Sequence, residues 1–175
     1  LSRAVTGQLD TAQQVEAVDR EVFRVLDVRT LPIFLYDPDR RELEVTLREW
    51  DGTREPDLPR RRPLGVGLAS AVLARRAPLR TADYAGACER EGVVPVREAL
   101  ALPHWLGVPI IAGDEVLGVL SLQAAARPFT EADERLLGNI ASLAALALRS
   151  ARLYEERSTT YQELTRTQDH LVRTE

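Results

Sequence analysis

The stretch that most constrains this chain is WLGVPIIAGDEVLGVLSLQAAARPFTEADERLL, from Trp105 to Leu137. Two apolar runs, Leu106–Ile111 and Val116–Leu122, flank the short polar segment Ala112–Glu115. Runs rich in Val, Ile and Leu on either side of a turn predict a β-hairpin. Gly107 and Gly118 interrupt the two runs, and a glycine inside a strand marks a bulge or a close backbone approach. Arg127-Pro128-Phe129 then breaks the extended chain, and Thr130 stands three residues before Asp133, the spacing of a helix N-cap. The pattern is hairpin, Pro-Phe hinge, long helix.

Upstream, Leu1–Leu9 is an approach segment. Asp10 or Thr11 can cap a helix along which Val15, Val18, Val22, Val25 and Leu26 recur at three- and four-residue spacing. Leu31–Tyr36 is a short apolar strand. Asp37-Pro38-Asp39-Arg40 supplies a turn, and Leu43, Val45 and Leu47 alternate with Glu44, Thr46 and Arg48, as in a strand with one buried face at a sheet edge. Gly52–Pro63, with three prolines and four arginines, reads as a solvated loop. Arg60-Arg61-Arg62 lacks the interleaved aromatic residues of a nucleic-acid surface. Leu64-Gly65-Val66-Gly67 leads into a helix over Leu68–Arg76, without the third glycine of a dinucleotide fingerprint or the Lys of a P-loop. A short strand is predicted around Leu79–Ala82. Ala85–Pro103 is the least legible stretch, with one helix expected near Val96–Leu102.

In this order the segments resemble a GAF domain. LDTAQQVEAV…VFRVLDV is similar to that family's entry helix, LPIFLYDPDRRELEV to its first hairpin, and LGVGLASAVLARRAPLRTADY to its Gly-x-Gly turn, helix and third strand. WLGVPI and VLGVLSLQ, followed by PFTEADERLL and a helix through ALRSARLYEE, resemble its second half. The resemblance implies an α+β fold of the GAF-like (PAS/profilin-like) kind. An antiparallel β-sheet would carry entry and exit helices on one face and, on the other, a ligand cavity covered by short helices and loops. It also implies a division into an upstream linker (1–9), a GAF domain (10–156) and a C-terminal signalling helix of coiled-coil type (157–175), continuous from about residue 130.

A net charge of −4 leaves no electrostatic footprint for nucleic acid or an anionic membrane surface. No uninterrupted run of about 18 apolar residues stands out as a spanning segment, and a single Cys suits a reducing, cytoplasmic compartment. The absence of Met suggests a piece of a longer protein, with any membrane anchor elsewhere; the absence of Lys suggests a GC-rich bacterial genome.

Five residues are candidates for the cavity. Trp50, Tyr84 and Trp105 can stack on a planar ligand. His104 can ligate a metal or haem, but no second His, Cys pair or carboxylate cluster stands near it at ligand spacing, so no metal site is expected. Cys88 can act as a redox sensor. Bilin-binding relatives place a His beside their Cys, whereas Cys88 is followed by Glu89-Arg90. The cofactor therefore stays unidentified, with haem and bilin disfavoured. The cyclic-nucleotide signature of some relatives needs a Lys that this chain lacks. No catalytic motif is present, neither G-x-S-x-G nor H-E-x-x-H, and no catalytic residue is assigned; the segment is expected not to be an enzyme.

From Thr130 onward there is no Pro, and Gly138 is the only Gly, so one helix is expected to run to the chain end. A heptad places Ile140, Ala147, Tyr154 and Tyr161 at a and Leu143, Leu164 and Leu171 at d, with Ser150, Arg157 and Gln168 as polar interruptions. A register through Leu148 and Ala151 competes. The tail TQDHLVRTE resembles the segment ahead of the phosphoacceptor helix in sensor histidine kinases, although His170 is followed by Leu171 rather than by an acidic residue. The expectation is a sensory module of a two-component sensor histidine kinase that dimerises through this helix, takes a small-molecule or redox input, and passes it to a downstream kinase domain. The alternatives are a ligand-free dimerisation scaffold, or a sensor attached to a transcription activator or cyclic-di-nucleotide enzyme.

Overall fold

In the computed structural model, residues 30–50, 53–54 and 60–172 are described, with side chains over 30–45 and 60–154. The predicted entry helix over 10–26 lies outside the described residues. The strands are β1 (Thr30–Asp37), β2 (Glu42–Trp50), β3 (Thr53–Arg54), β4 (Arg60–Pro63), β5 (Leu79–Thr81), β6 (His104–Ala112) and β7 (Glu115–Ala124). The helices are α1 (Leu68–Arg75), α2 (Tyr84–Glu91), a 3-10 turn (Arg97–Ala101) and α3 (Glu131–Val172). One antiparallel sheet runs β3-β2-β1-β7-β6-β5, with β4 also paired to β2.

The β6–β7 hairpin forms as expected, its turn at Gly113-Asp114. Both interrupting glycines mark close approaches. A Cβ on Gly118 would stand 2.0 Å from the carbonyl oxygen of Phe34 in β1, and one on Gly107 would stand 2.1 Å from the Trp105 indole. Gly118 thus lets two backbones meet, and Gly107 gives the indole a floor.

The two-residue period of the strands sorts the core into two layers. Leu106, Val108, Ile110, Leu120 and Leu122 face α3, where Phe129, Leu137, Ala141 and Ala145 meet them. Phe34, Leu43, Val45, Trp105 and Val119 face the other way, against Leu68 and Val72 of α1 and Tyr84 and Cys88 of α2. Leu117 joins the α3 layer because the register slips between Ile110 and Ile111, leaving it as the extra residue of a bulge.

Three expectations need correction. Gly52–Pro63 is not a loop throughout, since Thr53–Arg54 and Arg60–Pro63 pair with β2. The arginine run is accommodated by strand alternation: Arg61 pairs with Glu44 at 3.1 Å, while Arg62 turns its guanidinium over the Phe34 ring. This pairing places β2 between β1 and two short strands rather than at a free edge. Second, Tyr84–Glu91 is a helix within the stretch that had no clear pattern. Asp83 caps it by accepting from the Gly86 amide, and Gly92 ends it in the left-handed region. Third, residues 131–154 have a mean hydropathy of 1.2 in a window long enough to span a membrane. One face of that segment is nevertheless packed on the sheet, so the excess apolarity lies on its other side.

α3 starts where Thr130 predicted. Asp133 accepts from the Thr130 amide at 2.7 Å and the Thr130 hydroxyl at 2.9 Å, while the Asp133 amide donates to Thr130 Oγ1 at 3.2 Å. Arg127 donates to the same carboxylate at 2.8 Å. Burial works against the ionised Asp133, but the Arg127 and Thr130 hydrogen bonds outweigh it and hold the carboxyl below its usual range. A depressed carboxyl stabilises the fold above the unfolded pKa and loses that contribution as pH falls through the folded value. Asp133→Asn is expected to cost about 1–2 kcal/mol at pH 7. In urea titrations the variant and the parent should converge as the pH drops below about 4.

Candidate functional site

The face of the sheet opposite α3 carries a cavity of about 30 Å³. Its floor is built by alternation: Thr30, Pro32 and Phe34 come from β1, Ser121 and Gln123 from β7, and Trp105 from β6. Cross-strand register brings them together, with Thr30 opposite Gln123 and Trp105 opposite Gln123 on its other side. Gly67, Leu68 and Ala69 at the start of α1 form a wall, with Tyr84, Val96 and Ala99 from the α2 region and Arg62 from β4.

Gln123 ties the cover to the floor. Its amide nitrogen donates to the carbonyls of Ala99 and Leu102, each at 3.2 Å, and so clips the 3-10 turn down on the sheet. Tyr84 accepts from the Val96 amide at 3.2 Å, and its ring packs in the same core layer as Cys88. Burial pushes the Tyr84 phenol up to about 12, so it is a neutral hydroxyl near pH 7. Burial likewise raises the Cys88 thiol, against the opposing influence of Tyr84. A buried, protonated thiol is a weak nucleophile.

Two groups in this wall are unsatisfied. Thr30 is 1% exposed and Ser121 0%, and neither hydroxyl oxygen has a hydrogen-bond partner among the described residues. A buried unpartnered hydroxyl costs about 1–3 kcal/mol, and the cavity beside these two has room for water or a small ligand to meet them. The cavity admits two or three waters at roughly 10–15 Å³ each, and it is far smaller than the roughly 300–1,000 Å³ of drug-sized ligand pockets.

Of the five candidate residues, Tyr84 and Trp105 line this cavity. Cys88 is buried behind Tyr84 in the same core layer. His104 does not line the cavity: adjacent strand residues point to opposite faces, so Trp105 turns inward and His104 lies on the α3 side, half-buried, its Nδ1 without a partner among the described residues. The Trp50 side chain lies outside the described residues. Among the described residues no group of three His, Cys, Asp or Glu side chains is arranged to hold a metal. Sequence reasoning missed Thr30, Arg62, Ser121 and Gln123. Ser121 and Gln123 did leave a signal, as two polar residues two apart in the otherwise apolar run VLGVLSLQ.

A larger concavity of about 600 Å³ lies beyond the far end of α1 and is bordered by Tyr36, Leu73, Val93 and Val116. Its charged rim is already paired, Arg75 with Glu91 at 2.6 Å and Arg76 with the Asp114 carbonyl.

An antiparallel sheet with a long helix on one face, and short helices closing a small polar cavity on the other, is the architecture of a GAF-like α+β domain. The family model for the GAF domain matches residues 15–149, and the chain belongs to that family. Solved structures agree on the fold. The chain is 21% identical to the GAF domain of a phosphoenolpyruvate-protein phosphotransferase from Coxiella burnetii, covering 89% of this chain and 99% of that one, with a TM-score of 0.65. It is 19% identical to residues 122 to 287 of a methyl-accepting chemotaxis protein, covering 82% and 92%, with a TM-score of 0.65. It is also similar to free methionine-R-sulfoxide reductase from Neisseria meningitidis, solved with its substrate, at 18% identity, 76% and 74% coverage and a TM-score of 0.60. Chemotaxis and phosphotransferase proteins thus carry this fold, and so does an enzyme.

Because the two hydroxyls have no partner among the described residues, Thr30→Val and Ser121→Ala are expected to be neutral, or to stabilise the unliganded chain by about 1 kcal/mol, read by urea unfolding. Gly107→Ala is expected to drive the Trp105 indole off its floor and to cost about 1–3 kcal/mol, with a red shift of tryptophan emission.

Proposed function

We propose that this GAF domain is the cytoplasmic input module of a two-component signal-transduction protein, a sensor histidine kinase, and that it senses a small molecule as a homodimer joined through α3. The observation that carries the reading is a second apolar stripe on that helix. Leu136, Leu143, Leu146, Leu153 and Tyr154 are exposed, Leu143 at 61% and Tyr154 at 62%, on the side of α3 away from the buried Leu137, Ala141 and Ala145. Residues seven apart share a helix face, so Leu136 and Leu143 form one row and Leu146 and Leu153 an adjoining one. The expected seam is adjusted accordingly: Leu143 and Tyr154 belong to the free stripe, Ala147 is half-buried, and Ile140 packs against the core beneath the helix. Tyr161, Leu164 and Leu171 lie where side chains are outside the described residues.

α3 is 42 residues long, about 60 Å at ~1.5 Å per residue, long enough to carry a signal well beyond the sheet. Arg80 in β5 joins the two sides of the sheet. It donates to Glu134 of α3 and to the Phe129 carbonyl, each at 3.1 Å. One residue on, Thr81 hydrogen-bonds Asp83, the cap of α2, and Tyr84 of α2 lines the cavity. A ligand that moves α2 would bias the seating of the first turn of α3 and so the balance between two dimer arrangements. The kinase assignment is supported by the resemblance of TQDHLVRTE to the segment ahead of a phosphoacceptor helix, and the cytoplasmic setting by the lone, buried Cys88.

A second reading, a ligand-free dimerisation scaffold, is favoured by the small size of the cavity. The two differ in native mass spectrometry of protein purified from its own host, where a sensor carries a bound mass and a scaffold none. Both predict a dimer in analytical ultracentrifugation, weakened by about 2 kcal/mol or more in Leu143→Glu. A monomer at high protein concentration would overturn both.

A further inference from the structure

The polar wall of the cavity points to a ligand class, an inference that rests on the ligand-sensing reading above. α1 opens on Gly67 at φ 75°, with no side-chain cap and no acidic residue in its first turn. The first-turn amides of a helix have no intrahelical acceptor, and Leu68 and Ala69, which carry two of them, line the cavity. A helix start of this kind favours negative charge. The independent observation is the pair of buried hydroxyls of Thr30 and Ser121 lining the same cavity, neither with a partner among the described residues. They are diagonal neighbours across β1 and β7, because Thr30 stands opposite Gln123, two residues beyond Ser121, a separation one small ligand can bridge. Arg62 adds a cation, with its guanidinium carbon 5.9 Å from the Phe34 ring centroid. Among the described residues lining the cavity there is no Asp or Glu. Phe34, Leu68 and Trp105 offer apolar surface beside this polar wall.

We propose that the cavity binds a small monocarboxylate of formate or acetate size. Its oxygens accept from the Thr30 and Ser121 hydroxyls and face the start of α1 and Arg62, and its short alkyl end lies against Phe34 and Trp105. The volume of about 30 Å³ takes formate as it stands, and acetate only where the 3-10 turn lifts from Gln123; propionate serves as the oversize control.

The test is calorimetric titration and thermal unfolding of the full chain with sodium formate, acetate and propionate. Sodium chloride at equal ionic strength is the control, and acetamide the neutral isostere of acetate. The expected result is saturable stabilisation by acetate, binding at least about tenfold tighter than acetamide, and a similar loss in the Thr30→Val/Ser121→Ala double variant. The ¹³C line width of labelled acetate reports occupancy in the unmodified chain, should the double variant not fold. Acetamide binding as well as acetate, with both lost in the double variant, would overturn the carboxylate assignment and leave the sensor reading standing. No binding by any of these solutes, with a colourless and unliganded protein from the native host, would overturn both.

Discussion

The structure depends on the parity of the β6–β7 hairpin. Because successive strand residues point to opposite faces, one run of chain serves two unrelated purposes. Leu106, Val108, Ile110, Leu120 and Leu122 hold α3, while Trp105, Ser121 and Gln123 build the cavity. A one-residue slip in register would turn the polar side chains toward α3 and the leucines into the cavity. Gly118 pins that register, since its missing side chain is what allows β1 to lie against β7.

The cavity and α3 therefore share a sheet without sharing side chains. In the sensor reading proposed above, communication between them passes around the edge of the sheet, where β5 is the last strand. Arg80 reaches from it to the start of α3, where Thr130, Asp133 and Arg127 form a compact charged cap. The first turn of α3 is thus fixed by polar groups, and the turns after it by apolar packing on the sheet. Polar anchors of this sort have discrete alternative partners, which suits a hinge better than a continuous apolar contact does.

On the other face, Gln123 holds the cover closed through two hydrogen bonds to backbone carbonyls, while the hydroxyls beside it have no partner among the described residues. A domain built only to dimerise would gain by placing Val and Ala at positions 30 and 121, as the physics of buried hydroxyls dictates.

Local chemistry determined much of this protein in advance. The hairpin, the Pro-Phe break, the Thr130–Asp133 cap, the two close-packed glycines and the long helix are legible because each depends on residues a few positions apart. α2 was also locally encoded, by Asp83 and Gly92, but its small and charged residues gave no apolar period to reveal it. The pairing of Arg60–Pro63 with β2 was not legible, because strand addition depends on a partner far away in sequence. The same holds for the site: Thr30, Arg62, Ser121 and Gln123 come from three separate strands and meet only through cross-strand register. The sequence alone thus determined which segments would be strands and helices and where the exit helix begins. The tertiary structure decided that Trp105 faces the cavity while His104 turns away, and which hydroxyls are left without partners, since burial and satisfaction are properties of the packed sheet and of no single segment.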